Sequence, residues 1–198
     1  LIGALRFDSQ RDSASMRHAT YSYPMTHAAS TVLSVGAADG YESRALLHWL
    51  YLPDTIGNGG RIVSAIIRLR SRPYHIGGST ASYRLEAREI TSFWNSFTIT
   101  SDSGKLKYEA TPAGVFEGTL GETDSLELAI DSVLIRKWLV NSQEGDFTKN
   151  YGVLLEAPGS GVIRSFQSLE IANASPPQLI VVMETAGKFD TLYGDTGD

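Results

Sequence analysis

Cysteine is absent from all 198 residues, which excludes a disulfide framework, a thiol nucleophile and a thiolate metal site together. That absence leaves the compartment open. Charge of one sign is also scarce: 17 basic against 22 acidic residues leave a formal net charge of -5. No basic face is available to neutralise a run of phosphates, so nucleic acid is not an expected partner. No apolar run approaches the roughly 20 residues of a membrane span. The chain opens Leu-Ile-Gly-Ala, with neither an initiator Met nor a basic and then apolar leader. Leu1 reads as a processed N-terminus or the start of an excised segment. A chain of this length can fill one core. A single domain over 1–198 is expected, with its core at about 11–184, a strand-like extension over 1–10 and an acidic tail over 185–198.

What is present is strand after strand. In RIVSAIIRLRS, Val63, Ala65, Ile67 and Leu69 point one way while Ser64, Arg68 and Arg70 point the other, the period of a half-buried strand. SYRLEAREI alternates likewise, with Tyr83, Leu85 and Ala87 opposed to Arg84, Glu86 and Arg88; SLELAI sends Leu126, Leu128 and Ile130 inward. SRALLHWLYL, QLIVVME and NYGVLLEA are apolar on both faces, as central strands covered by a second layer are. Asp39-Gly40, Gly57 to Gly60, Gly77-Gly78, Ser103-Gly104 and Gly159 to Gly161 punctuate these runs and supply the backbone geometry of tight reversals. Their spacing suits a β-sandwich or jelly roll. One helix is predicted over 132–139, capped by Asp131, with Leu134 and Trp138 on its buried stripe and Ile135 and Leu139 widening it.

The blocks ESRALLHWLYL, IVSAIIRLR, YRLEAREITSFWNSFTIT, IDSVLIRKWLVNS, NYGVLLEA, SFQSLE and PPQLIVVME follow one another in this order. In that order the chain resembles DNRLRE-type domains over roughly residues 11–184. The resemblance implies an all-β, jelly-roll-like antiparallel sandwich with one short helix. It also implies kinship with modules that recognise alginate-like polysaccharides. The chain departs from the family pattern at Ser96, where an acidic residue follows the tryptophan in relatives, and at Met25-Thr26-His27-Ala28, where relatives carry an Asn-Tyr-Gly loop.

Reactive chemistry is thinly represented. His18, His27, His48 and His75 lie far apart, without the HxH or HExxH spacing that presents two imidazoles to one metal. No GxSxG elbow is present. Glu86 and Glu89 fall on opposite faces of one strand and cannot flank a glycosidic bond, while Glu122, Asp124 and Glu127 read as a solvated edge. The expectation is a protein that is not an enzyme. For a cofactor, none is expected beyond a structural Ca²⁺, for which Asp190, Asp195 and Asp198 offer hard oxygen ligands without the spacing of a recognised loop. Asn173-Ala174-Ser175 matches a glycosylation acceptor, to which no function is attached.

Two kinds of surface remain. A sugar platform needs exposed rings and planar polar groups. Trp49, Trp94 and Trp138 all fall where burial is expected, which leaves Tyr21, Tyr23, Tyr41 and Tyr74, with Arg70 and Arg72 to hold uronate carboxylates. The competing reading pairs these arginines with Glu86 and its neighbours across strands. An assembly surface is offered by Leu1, Ile2, Leu5, Phe7, Phe189, Leu192 and Tyr193, apolar and aromatic residues near the ends that gain by burial. A neighbouring subunit could supply that burial by strand addition. The favoured expectation is a structural or adhesive building block of a cell surface, filament or virion, self-associating or docked to a neighbouring surface protein. A module for an acidic polysaccharide is the alternative.

Overall fold

The computed structural model describes residues 30–49, 52, 60–78, 82–100, 106–121, 124–143, 150–169 and 175–195. In chain order the elements are β1 (Val32–Ala38), β2 (Tyr41–Ser43), β3 (Ala45–Leu47), β4 (Arg61–Gly77), β5 (Tyr83–Glu89) and β6 (Gly114–Gly118). They continue as β7 (Ser125–Ala129), α1 (Ser132–Gln143), β8 (Val153–Glu156), β9 (Val162–Gln167), β10 (Gln178–Thr185) and β11 (Lys188–Asp195). Seven strands form one sheet in the order β11-β10-β4-β9-β1-β2, with β7 paired to β4 off that path; four form a second sheet in the order β3-β8-β5-β6. Every pairing is antiparallel. One apolar cluster draws on both sheets and α1. The expected all-β antiparallel sandwich with one short helix is what forms.

β4 is the spine of the larger sheet. Its first half pairs with β10 and its second with β9, while β7 takes Ile66 to Arg70. Ala65, Ile67 and Leu69 point into the core as their alternation requires, Ile67 and Leu69 at zero exposure. Val63 does not follow them. The ladder slips between Val182 and Met183, so the period of two is interrupted there and Val63 is left 42% exposed while Ile62 packs on the core. A second irregularity lies between Arg72 and His75. It contains Pro73, which has no N–H to give a ladder.

The helix begins where the cap predicts: Asp131 Oδ1 accepts from the Val133 N–H at 2.8 Å. Leu134, Ile135, Trp138 and Leu139 are buried, and the helix runs on to Gln143. Asn150-Tyr151-Gly152 then leads into β8. Asn150 is buried, its amide donating to the Trp49 carbonyl and its Oδ1 accepting from the Gly152 N–H. Gly152 has φ +79°, and a Cβ there would sit 1.9 Å from the Leu47 carbonyl oxygen, so glycine is required by conformation and by space. Val153 and Leu155 enter the common core. Leu154, on the other face, is also buried, in register with Leu46 and Arg88.

The C-terminal segment corrects the sequence expectation. Residues 188–195 are not an acidic tail: they form β11, paired to β10 along all eight positions. The reversal is a two-residue turn, Ala186 at φ +51° and Gly187 at φ +77°, the twist that suits a right-handed hairpin. Alanine in place of the usual asparagine or aspartate hides this turn from a reading of composition.

Candidate functional site

β11 is the last strand of the larger sheet, and its outer edge has no partner strand among the described residues. Its even positions face inward. Leu192 is 5% exposed, and at Gly194 a Cβ would stand within 3.4 Å of Leu52 and Trp49 side-chain atoms. Leu192 is therefore a core residue and drops out of the expected assembly surface, because alternation in a strand hands it to the sandwich. Phe189 and Tyr193 stay outside, 67% and 57% exposed, with Thr191 exposed between them. An open edge carrying two outward aromatic rings is a template for another strand. Of the other assembly candidates, Leu1, Ile2, Leu5 and Phe7 lie outside the described residues.

The sugar candidates divide. Tyr21 and Tyr23 lie outside the described residues. Arg70 lines a groove of about 480 Å³ with Arg68, Ser125, Glu127, Ser175, Pro176 and Gln178. Arg68 is engaged there, donating from Nε and Nη2 to Glu127 Oε1 at 3.0 and 2.7 Å. Arg70 and Arg72 make no ion pair among the described residues. The cross-strand pairing of these two arginines with Glu86 does not form, since Glu86 belongs to the other sheet. Tyr74 is exposed in the irregularity beyond Arg72, and Tyr41 is exposed on β2 at the far edge. Neither ring lines the groove.

The outward face of the smaller sheet is a closed lattice of charge. Glu86, 6% exposed, receives both Arg84 and Arg88; Arg84 also reaches Glu117, Arg88 reaches Glu156 and the Ala110 carbonyl, and Arg44 pairs with Glu42 at 2.7 Å. A buried carboxylate is tolerable only with such partners. The hydrogen bond to Glu42, opposed by burial, leads in holding the Arg44 guanidinium above its ordinary pKa. Glu89 points elsewhere, to Lys137 of α1.

Beyond the end of β5, Thr91 and Glu109 bond to Lys107 and Glu89. The chain then turns at Asn95, whose Oδ1 accepts from the Phe97 N–H. Phe93 and Phe97 are 77% and 75% exposed on this turn. Trp94 is half-buried, not fully covered, and donates its indole N–H to the Tyr151 carbonyl at 2.8 Å. These phenylalanines follow β5 on an irregular segment, where neither strand nor helix periodicity marks their exposure. His48 lies beside Trp94, ring centroids 6.2 Å apart. Burial lowers its pKa, against a hydrogen bond to the Asn150 backbone. Arg164 is a further surprise, 4% exposed and in register with Val35 on the inner face.

Of the calcium candidates, Asp190 and Asp195 lie five residues apart along β11. Asp190 accepts from the Thr191 N–H, and Asp198 lies outside the described residues. Among the described residues no helix is long and apolar enough to cross a membrane. Comparison with known proteins returned no matching family model and no matching curated protein. The likeness to DNRLRE-type domains rests on the sequence blocks alone.

Proposed function

We propose that this protein is a non-catalytic building block of an extracellular, cell-surface or particle assembly, acting through strand addition at the edge of its larger sheet. The observation that carries this reading is β11: eight residues long, without a partner strand on one side among the described residues, with Phe189 and Tyr193 turned outward. Native proteins blunt such edges unless they are used. The mass of the native protein by light scattering over a concentration series tests it. A defined assembly that resists dilution supports the reading, and a monomer at every concentration, alone and mixed with extracts of its source surface, removes it.

A second reading is supported by Arg70, a guanidinium without an ion pair among the described residues, in a groove whose other polar lining includes Ser125, Ser175, Gln178 and the Arg68–Glu127 pair. A planar guanidinium matches a carboxylate in a bidentate fork. Together with the family resemblance, this favours an acidic polysaccharide as ligand. Saturable, salt-sensitive binding to a polyuronate that falls at least tenfold in Arg70→Ala is the expected outcome. Undiminished binding by that variant excludes this groove.

A further inference from the structure

We infer that the strand added to β11 is β11 of a second copy of this chain, in one register centred on Thr191. The inference rests on the assembly reading and names its partner. In an antiparallel pair, opposed residues point to the same face. Two copies joined edge to edge through a two-fold axis extend one sheet, with both cores on the same side, only if odd residues of β11 meet odd residues. Tyr193 and Thr191 are outward and Leu192 and Gly194 inward, so the odd set is the outer one.

Three centres keep most of the strand paired. Centring on Asp190 sets two like charges against each other, which is destabilising. Centring on Leu192 sets Phe189 against the last residue of the strand and separates it from Tyr193. Centring on Thr191 places Phe189 of each copy opposite Tyr193 of the other, twice by symmetry, with threonine on threonine at the axis. Aromatic and threonine pairs are the favourable cross-strand combinations. On the other face Lys188 then meets Gly194 and Asp190 meets Leu192 of the second copy. Phe189 and Tyr193 leave solvent together in the process, which accounts for two large rings on a surface that has no use for them otherwise. The association is isologous and closes at two.

The chain lacks cysteine, so a single introduced thiol reports the register. In the full chain, Thr191→Cys is expected to form a covalent dimer under mild oxidation, because paired Cα atoms in such a ladder lie within disulfide reach. Phe189→Cys alone is expected to stay uncoupled, while a mixture of Phe189→Cys with Tyr193→Cys couples across chains. Thr191→Lys, which sets two ammonium groups on the axis, is expected to raise the dimer dissociation constant at least tenfold with the circular dichroism spectrum unchanged. A stable oligomer in which Thr191→Cys does not couple and Thr191→Lys has no effect overturns this partner and register while leaving the assembly reading standing. If such an oligomer is lost on removing residues 1–29, that segment is the occupant. A monomer under every condition, source extract included, overturns both.

Discussion

The outward faces of the two sheets are built on opposite terms. On the smaller sheet Arg84 and Arg88 each have a carboxylate, and Glu86 sinks to 6% exposure between them. On the larger sheet Arg70 has no carboxylate partner and Phe189 and Tyr193 stay exposed, among the described residues. Among the described residues the first surface has spent its charges within the chain; the second, beside its Arg68–Glu127 and Arg61–Glu184 pairs, keeps Arg70 and two exposed rings. An all-β domain of this kind can therefore stabilise itself on one side and associate on the other. Substitutions on the two faces are expected to read out in different assays.

The sharpest way to break the closed side is Gly152→Ala, which sets a Cβ against the Leu47 carbonyl at a positive φ. A loss of more than about 4 kcal/mol, or failure to fold, is expected by urea denaturation, since the obstacle is backbone and cannot step aside. Glu86→Ala is next. It leaves Arg84 to Glu117 and Arg88 to Glu156 and strips the centre of the lattice, and about 2 kcal/mol of stability should go with it. The same experiment on Phe189→Ser or Tyr193→Ser should move monomer stability by no more than about 0.5 kcal/mol, while association weakens. Equal losses on both sides would erase the distinction.

Acid gives a gentler probe of the closed side. Burial depresses the pKa of His48 below its ordinary 6.5. Below that pH the unfolded chain takes up a proton that the folded one resists, so stability present above 6.5 declines as pH falls toward the folded value. The decline should be shallower in His48→Gln, measured as the urea midpoint between pH 7.5 and 5. An identical slope in both proteins would assign the acid sensitivity to other groups. The smallest expected effect is Ala186→Gly at the β10–β11 turn, which relieves a non-glycine residue at φ +51° and should add about 0.5 kcal/mol.

Alternation made most of the sandwich readable before any coordinates. Tyr83, Leu85 and Ala87, Leu126 and Leu128, and the stripe of α1 all lie where their periods send them. The failures have one physical origin each. Val63 departs from the period because the ladder slips between Val182 and Met183, and nothing in RIVS marks a bulge. β11 was read as a tail because KFDTLYGD is half polar and its turn uses alanine, yet an edge strand needs only one apolar face. Of the candidate surface, the type of residue at Phe189, Tyr193 and Arg70 was legible. Their freedom from partners was not, because the registry that gives Glu127 to Arg68 and Glu86 to the other sheet is set by tertiary pairing.

The length of β4 has a consequence in time. Its partners β9 and β10 lie about ninety to more than a hundred residues further along the chain, and loops of that size close slowly. β7 reaches β4 earlier in the chain, but the β10 side of this spine is filled only by residues that follow it by more than a hundred positions. The β10–β11 hairpin is too small to hold alone, so it settles only on a finished β4. The edge of β11 therefore depends on the pairing of β10 with β4, so a substitution that loosens the spine is expected to weaken association as well as stability.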